Sequence, residues 1–413
     1  MRWLSIVAFC LSSIFFGRNV IGQECIAYQC QPPAQSVNSY SKCFPGLCDP
    51  PGCNSRNWVD IDYIQFFSDG FRAPALVTGS DAGTARPDVG ILGDPATNVL
   101  FGNDRIGSSS LSGLRIGFGH YLDDCGNTAI TGSLFALGND SSSTFPRDPT
   151  SIVSRPFFNT DPAVNGPDAE LVNFPGVVNG TISVATDTDI YSGGIGIQKK
   201  VCCCSDGCSA QRTDVFLGYR AFGLDDSLVI SESLTSDVSS GFVPTGTTFD
   251  VIDRFETENR FHGVEFGVMR TWQRQRWTFE AGSRVALGNI NQRVLIDGST
   301  TVTVPGVEPV VQPFGILAGP SNIGEYERNR FGVLTDSRLE IGYWLSCRLK
   351  LQLGYNFIFI NDVARPGNAI DLNVNGTAID PTVATTGPAS PNFDWNSESL
   401  FLHGFNAGIE FRF

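Results

Sequence analysis

The C-terminal stretch from Ser399 to Phe413 alternates between two kinds of side chain up to the last residue. One face carries Phe401, His403, Phe405, Ala407, Ile409, Phe411 and Phe413, and the other carries Gly404, Asn406, Gly408, Glu410 and Arg412. This period of two fits a soluble sheet with one wet face, or a membrane barrel with lipid outside and a polar lumen inside. A carboxylate directly after an aromatic residue suits a strand that ends at a membrane interface. The ending therefore favours the barrel over a soluble sandwich.

The length and composition of the chain agree with one membrane barrel. Its 413 residues include 45 Gly and 31 Phe but only 2 Met, so aromatic residues are abundant on a background of small and polar ones. Beyond the N-terminus, we find no run of about 18 apolar residues, the length that a spanning helix needs. The sequence therefore does not predict a helical membrane protein.

Residues 1–22 have the features of a cleaved signal peptide. Arg2 supplies a short basic region, an apolar region runs from Trp3 to Gly17, and Val20-Ile21-Gly22 offers a cleavage site. A permanent N-terminal anchor is the alternative. It is less favoured because the apolar region is short and is followed by Arg18 and Asn19.

Residues 23–57 are rich in Pro, Cys, Gln and Ser and show no periodicity, which indicates a periplasmic segment or a small plug before a barrel at 58–413. In an exported chain, clustered cysteines most simply form disulfides. Zinc binding is less favoured because no histidine accompanies them and the spacing is not the paired C-x-x-C kind. The disulfide candidates are Cys25, Cys30, Cys43, Cys48, Cys53, Cys202, Cys203, Cys204 and Cys208.

Alternating stretches predict an all-β chain of ten or twelve strands. The first predicted strands cover 58–67, 111–121, 128–137, 189–201 and 213–219, and the C-terminal third continues the pattern. Residues 139–186 are predicted as a long loop. Between 221 and 236 the apolar positions move from odd numbers (Val215, Leu217) to even numbers (Leu224, Leu228), which indicates either a turn near 223–226 or a bulge. The same ambiguity recurs at 249–261, so the strand number stays open.

Short turns alternate with long loops along the predicted strands. Residues 273–275 and 346–347 are short connections, whereas 298–330 and 361–398 are long ones. Outer-membrane barrels show this asymmetry, with short turns in the periplasm and long loops outside. An even number of strands places both chain termini on the periplasmic side, which agrees with this asymmetry. We therefore predict a transmembrane antiparallel up-and-down β-barrel.

Several stretches resemble the β-barrel porin family of the porin-7 type, from diderm bacteria. They are Trp58 to Phe67, Phe255 to Gly263, Gly354-Tyr355-Asn356-Phe357, and Gly404 to Phe413. The N-terminal cysteine cluster and the cysteines at 202–208 depart from that pattern. The resemblance implies an outer-membrane barrel, with outer-membrane lipid and the barrel-assembly machinery as partners. The aromatic ending also resembles the signal by which such barrels are recognised for assembly, here Phe405, Ile409, Phe411 and Phe413.

Charged residues with the parity opposite to the apolar face are the candidates for a lumen. They are Arg220, Glu280, Arg284, Arg338, Glu340, Arg348, Lys350, Glu410 and Arg412. Such a set can form a constriction that selects small hydrophilic or anionic solutes, or its members can pair across strands and fill the interior. Two functions are therefore compatible with the sequence. The first is passive passage of small hydrophilic solutes, and the alternative is a non-conducting structural or adhesive barrel that presents long acidic loops.

Other functional classes have less support. A formal net charge of -14 argues against a nucleic-acid partner, because phosphate binding needs a basic face. Of the three histidines, His120 and His403 share the apolar parity, and only His262 is a candidate base, with Ser283 near it in sequence. No G-x-S-x-G motif is present. We therefore expect no enzymatic activity, no cofactor and no metal.

The C-terminal ending can be tested by changing its last residue. If Phe413 is part of an assembly signal, Phe413→Asp should lower the amount of inserted barrel while export continues. Heat-modifiable migration of the outer-membrane fraction on a gel measures the inserted barrel, and the periplasmic fraction measures export. Barrel levels equal to those of the unchanged chain would refute this role for Phe413.

Overall fold

The computed structural model describes residues 55–107, 110–206, 209–238, 243–379 and 383–413. The predicted signal peptide and nearly all of the 23–57 segment lie outside these ranges. Within them, 18 strands account for most residues and helix is confined to three short turns. None of the helices in these ranges has the length and hydropathy needed to cross a membrane.

Ten strands form one closed antiparallel sheet in which each strand pairs with its neighbours in sequence. This confirms the predicted all-β up-and-down barrel, with the lower of the two expected strand numbers. The strands are β1 (Asn57–Ser68), β2 (Ser110–Tyr121), β3 (Thr128–Phe145), β4 (Val178–Asp206), β5 (Ser209–Ser236), β6 (Thr248–Arg274), β7 (Trp277–Thr303), β8 (Gly324–Trp344), β9 (Leu349–Val363) and β10 (Glu398–Arg412).

The barrel closes between its first and last strands. β1 and β10 are antiparallel neighbours from Trp58 opposite Arg412 to Ser68 opposite Leu402. At the chain end, the amide of Asn57 donates to the carbonyl of Phe413 at 3.1 Å, and the amide of Phe413 donates back at 3.0 Å. The alternating stretch that ends the sequence is therefore the strand that seals the ring.

The two ends of the barrel differ. At one end, called the turn end, short connections join β2 to β3, β4 to β5, β6 to β7 and β8 to β9, and both β1 and β10 have their outer termini there. At the other end, the loop end, the connections are long. This is the asymmetry predicted from the sequence. The longest strands extend well beyond the thickness of a bilayer, because β4 has 29 residues and a tilted strand needs about 9 to 11 to cross.

The outer wall near the turn end is apolar and exposed. Outward-facing side chains of at least nine strands form this belt: Tyr63, Leu114, Leu134, Ile195, Ile197, Leu217, Tyr219, Phe266, Ile341, Leu353 and Phe405, among others. A band of exposed aliphatic and aromatic side chains around a closed sheet is the surface that lipid covers. On the same stretches of strand, the inward positions are mostly polar.

Farther toward the loop end, the inward positions become apolar. All ten strands contribute buried side chains to this apolar layer: Ile64, Phe66, Leu111, Phe135, Leu137, Ile190, Phe222, Leu224, Phe261, Ala286, Ile290, Leu334, Ile358, Ile360, Val363, Leu400 and Leu402. Because a barrel of this size has an interior only a few side chains wide, such a ring fills the cross-section.

Segments from four of the five long connections fold over and into the loop end, and we call them the mouth domain. Its strands are Phe71–Ala73, Val77–Ser80, Thr97–Phe101, Asp104–Ile106, Ile152–Asn159, Gly166–Asn173, Val310–Gln312 and Asn373–Val374, and its helical turns are Arg86–Asp88, Pro366–Ala369 and Gly376–Ile379. Buried residues such as Phe71, Leu76, Val153, Leu317 and Val374 pack against inward side chains of β4 to β7. The barrel mouth therefore has an ordinary apolar core.

The mouth domain corrects two expectations from the sequence. Residues 139–186 are not a long loop: β3 continues to Phe145, β4 begins at Val178, and two further strands lie between them. The stretch 221–236 contains neither a turn nor a bulge, since β5 keeps its register with β6 throughout. The apolar positions change parity there because the wall leaves the lipid and its inside becomes the apolar side.

The lipid-facing belt can be tested at Leu217, which lies in the middle of the outward stretch of β5 and is 58% exposed. Leu217→Arg should lower the free energy of unfolding in phospholipid vesicles by about 2 to 4 kcal/mol, because a charge then faces the bilayer interior. Urea unfolding followed by tryptophan fluorescence measures this. Ser233→Arg, on the same face of β5 but near the loop end, is the control, and equal losses for both variants would contradict the belt.

Candidate functional site

A charged cavity of about 190 Å³ occupies the lumen between the turn end and the apolar layer. We call it the charged chamber. Seven basic and six acidic side chains line it: Asp60, Arg115, Arg212, Asp214, Arg220, Glu280, Arg284, Asp336, Arg338, Glu340, Lys350, Glu410 and Arg412. The two signs nearly balance, so the chamber is polar without a strong net field.

Lys350 is the centre of one charge cluster. Its ammonium group lies 2.7 Å from Glu410, 3.2 Å from Glu280 and 3.4 Å from Glu340. Arg412 joins the cluster, with its Nε 2.6 Å from the Glu410 carboxylate. These residues come from β7, β8, β9 and β10, so the cluster ties four strands together across the lumen. Lys350 is almost completely buried, and its charge depends on these partners.

A second cluster is formed by residues of β5, β6, β7 and β8. The Arg220 guanidinium lies 2.6 Å from Glu265 and 3.4 Å from Asp336. Arg284 lies 3.6 Å from the other oxygen of Glu265 and stacks over the Phe216 ring at 4.1 Å. Glu265 is fully buried, and these two guanidinium groups are its charged partners.

Asp62 connects the chamber to the seam between β1 and β10. It is fully buried, accepts hydrogen bonds from Gln352 at 2.7 Å and Asn406 at 3.3 Å, and lies 3.6 Å from Arg338, which also pairs with Glu340. The residue opposite Asp62 on β10 is Gly408, where a Cβ atom would lie 2.2 Å from the carboxylate. The glycine therefore makes room for the buried acid.

Arg115 differs from the other arginines of the chamber. It is 6% exposed and donates to the Asn356 amide oxygen at 3.1 Å, and Asn356 in turn donates to Asn406. Among the described residues it has no carboxylate within 4 Å, whereas the other basic residues of the chamber all do. Arg115 therefore places a positive charge on the chamber wall that is not locally neutralised.

The structure brings together eight of the nine lumen candidates from the sequence. Arg220, Glu280, Arg284, Arg338, Glu340, Lys350, Glu410 and Arg412 all line the charged chamber. Arg348 does not, because β8 ends at Trp344 and β9 begins at Leu349, which leaves Arg348 exposed in the turn between them. Parity cannot predict the facing of a residue outside a strand.

Sequence reasoning missed seven charged residues that belong to the chamber or its clusters: Asp60, Asp62, Arg115, Arg212, Asp214, Glu265 and Asp336. A signal for them was present. Asp60 and Asp62 alternate with the apolar residues of β1, and Arg115 stands between the outward-facing Leu114 and Ile116. The same parity rule, applied along every strand of the barrel, finds them.

The histidines lie on the outer wall and not in the chamber. His262 accepts or donates a hydrogen bond with the Tyr219 hydroxyl at 2.8 Å, and His403 does the same with Tyr355 at 2.7 Å. His120 bonds to the Asn57 side chain at 2.7 Å. Ser283 bonds to Ser337 at 2.9 Å and faces Val268 across the sheet, whereas His262 faces Asn289. The structure therefore does not bring His262 and Ser283 together.

The remaining candidates lie near the turn end or outside the described residues. Phe405, Ile409, Phe411 and Phe413 are exposed on the outer face of the closing strand and its end. Their role as an assembly signal stays a prediction. Cys202 and Cys203 lie near the turn end of β4. The pairing of the cysteines stays a prediction, and Cys25, Cys30, Cys43, Cys48, Cys53 and Cys208 lie outside the described ranges.

A closed antiparallel barrel with an apolar outer belt and a charged lumen defines the chain as a β-barrel of the bacterial outer membrane. The sequence model of one family, described as Putative beta barrel porin-7, matches residues 58–413, which is the whole barrel. The chain belongs to this family, as its sequence resemblance indicated. No curated protein sequence matches it at a significant level.

Solved outer-membrane barrels are similar to the chain only at a distance. The outer membrane protease OmpT of Escherichia coli shares 8% identity with a TM-score of 0.38, covering 90% of this chain and all of its own. The toluene transporter TodX of P. putida shares 8% identity with a TM-score of 0.19, covering 88% of this chain and 92% of its own. OmpT of Vibrio cholerae shares 10% identity with a TM-score of 0.17, covering 87% of this chain and 99% of its own.

The Lys350 cluster can be tested by removing its cation. Lys350→Met should lower the free energy of unfolding by about 3 to 5 kcal/mol, because the carboxylates of Glu280, Glu340 and Glu410 then share a buried site without their ammonium partner. Urea unfolding in vesicles measures the loss. Lys199→Met, at an exposed outward position of β4, is the matched control. A loss at position 350 no larger than at position 199 would contradict the role of the cluster.

Proposed function

We propose that the chain is a porin-like barrel that admits small hydrophilic solutes to its charged chamber from the periplasmic side and conducts them passively when the apolar layer separates. The observation that carries the proposal is the chamber itself, a polar cavity lined by charges of both signs inside a barrel of a porin family. Rings of charged side chains are the means by which barrel channels favour one class of solute over another.

The size and chemistry of the chamber support this solute class. A cavity of about 190 Å³ has room for a solute of several heavy atoms or for a cluster of water molecules. Arg115 offers a guanidinium group without a carboxylate partner among the described residues, and Arg284 and Arg338 keep roughly a quarter of their side chains exposed. These groups can donate hydrogen bonds to solute oxygens.

The apolar layer supports a closed resting state. Ile64, Phe66, Leu224, Phe261 and Ile290 are all fully buried at its centre, between the chamber and the mouth domain. Hydrophobic constrictions stop ions and polar solutes because water does not stay in them. We therefore propose gated passage with rare openings, rather than a permanently open pore.

The surroundings of the barrel follow from its class. We propose that outer-membrane lipid covers the apolar belt, that the assembly machinery inserts the barrel through its C-terminal strand, and that a cleaved signal peptide precedes export. Disulfides among the cysteines near the turn end and residues 23–57 are part of the same proposal. The separate positions of His262 and Ser283, which face different residues across the sheet, support the expectation of no enzymatic activity.

Single-channel conductance in planar bilayers tests the proposal. The unchanged barrel should give infrequent opening steps, and Phe66→Ala/Phe261→Ala should open much more often, because it removes packing that only the closed state has. A loss of about 1.4 kcal/mol from the closed state already raises the ratio of open to closed about tenfold. Heat-modifiable migration confirms that both proteins are folded.

Phe405→Ala is the matched control, since Phe405 faces the lipid and is 53% exposed. It should leave the opening frequency unchanged. Steady conductance of the unchanged barrel would overturn the closed resting state. If neither the unchanged barrel nor the double variant gave any steps, passive passage would be refuted and a non-conducting structural or adhesive barrel would be favoured.

A further inference from the structure

One arginine of the mouth domain is buried completely inside the barrel mouth. Arg155 belongs to the strand Ile152–Asn159 and is 0% exposed to solvent. Its guanidinium donates to Glu232 of β5 at 2.8 Å and pairs closely with Asp253 of β6. The arginine therefore joins the mouth domain to two strands of the barrel wall.

A third carboxyl group completes this cluster. Glu170 lies directly opposite Arg155 in the neighbouring strand Gly166–Asn173 of the mouth domain. Its side chain is within hydrogen-bonding reach of Glu232, and Arg155 and Asp253 are its other charged neighbours. One guanidinium group thus faces three carboxyl groups from three elements: the mouth domain, β5 and β6.

The hydrogen bonds of the cluster indicate where a proton can be held. Oε2 of Glu170 and Oε2 of Glu232 are both buried and have no donor among the described residues. Two buried carboxylates in contact repel each other strongly unless one is protonated and donates to the other. Asp253 is satisfied differently, because it pairs with Arg155 and accepts from the Ala318 amide at 2.6 Å. A proton between Glu170 and Glu232 therefore satisfies the cluster.

The titration of Glu170 agrees with this geometry. Burial raises the pKa of Glu170 well above its usual range, and the neighbouring Glu232 carboxylate raises it further. A glutamate in an unfolded or detached segment ionises near pH 4.3. Since the closed cluster holds its proton to higher pH than the detached one, raising the pH between these two values weakens the closed state.

We propose that Arg155, Glu170, Glu232 and Asp253 form a latch that fastens the mouth domain to the barrel wall while one proton is shared between Glu170 and Glu232. Loss of that proton as the medium becomes alkaline leaves three carboxylates around one guanidinium group and loosens the mouth domain. The latch goes beyond solute passage, because it holds or releases the mouth domain whether or not the barrel conducts.

Asp253 extends the effect to a second connection. The loop between β7 and β8 packs Ile316, Leu317 and Ala318 into the mouth core, and the Ala318 amide is held by Asp253. When Asp253 loses its guanidinium partner, both the strand Ile152–Asn159 and this loop lose an anchor. Release at the latch therefore affects two of the segments that close the mouth.

Hydrogen exchange of the refolded full-length barrel in lipid nanodiscs tests the latch. Amide protection in the strands Ile152–Asn159 and Gly166–Asn173 is measured between pH 5 and pH 9 and normalised to the intrinsic exchange rate at each pH. In the unchanged protein, protection should fall by up to about tenfold per pH unit while the shared proton is being lost. Protection of the halves of β1 and β10 nearer the turn end, which are separated from the mouth domain by the apolar layer, should stay constant.

Glu170→Gln separates titration from hydrogen bonding, since the amide can still donate to Glu232 but cannot lose a proton. It should keep the two strands protected across the whole pH range. Glu308→Gln, an exposed position in the β7–β8 connection, is the control and should follow the unchanged protein. Arg155→Met should lower protection at every pH.

Two results would overturn the latch. One is a protection profile of the unchanged protein that does not vary with pH. The other is an equal fall in protection with pH for Glu170→Gln and the unchanged protein. Because exchange is measured without reference to conductance, an absence of channel steps in bilayers would leave this result standing, and the two proposals can fail separately.

Discussion

The backbone hydrogen bonds between β1 and β10 determine what the rest of the chain can be. In lipid, a strand edge has no water to bond its amides and carbonyls, so an open sheet cannot span the bilayer. Pairing of the first strand with the last from Trp58 to Ser68 removes both edges at once. The closed ring then fixes an inside and an outside for every residue, and each side chain is selected for one of the two.

The polarity of the inward and outward side chains reverses along a single strand. In β5, Leu217 faces lipid and Arg220 faces the lumen, but a few residues later Asp225 is outward and Leu228 is buried within the mouth. The strand does not bend or slip between these levels. The environment changes, because the lower wall has lipid outside and the upper wall has water outside and mouth-domain side chains inside.

This exchange explains how far the fold could be predicted. Alternation near the turn end, the short turns and the aromatic ending identified the barrel and the closing strand. The same parity rule suggested a turn or bulge near 223–226, because it assumes one environment along the whole strand. The mouth-domain strands between Phe145 and Val178 were not predicted, since their partners are distant in sequence and their burial depends on the completed barrel.

The chamber could be predicted to a similar extent and for similar reasons. Within a strand, parity places Arg338 and Glu340 or Glu410 and Arg412 on one face, and neighbours two apart then pair. Parity carries no information on which distant charges meet. The contact of Arg338 with Asp62, which come from β8 and β1, depends on the diameter of the closed ring. The isolation of Arg115 from carboxylates likewise follows only from the assembled lumen.

The apolar layer has a consequence for how such proteins can diverge. Since all ten strands contribute to it, the barrel below the layer is complete without any residue of the mouth domain. The upper part can then accumulate insertions, exchange segments with paralogues or acquire new surface chemistry without disturbing membrane insertion. In such a protein, selection for a stable membrane-embedded wall acts on the lower part, and selection on the surface chemistry acts separately on the mouth domain.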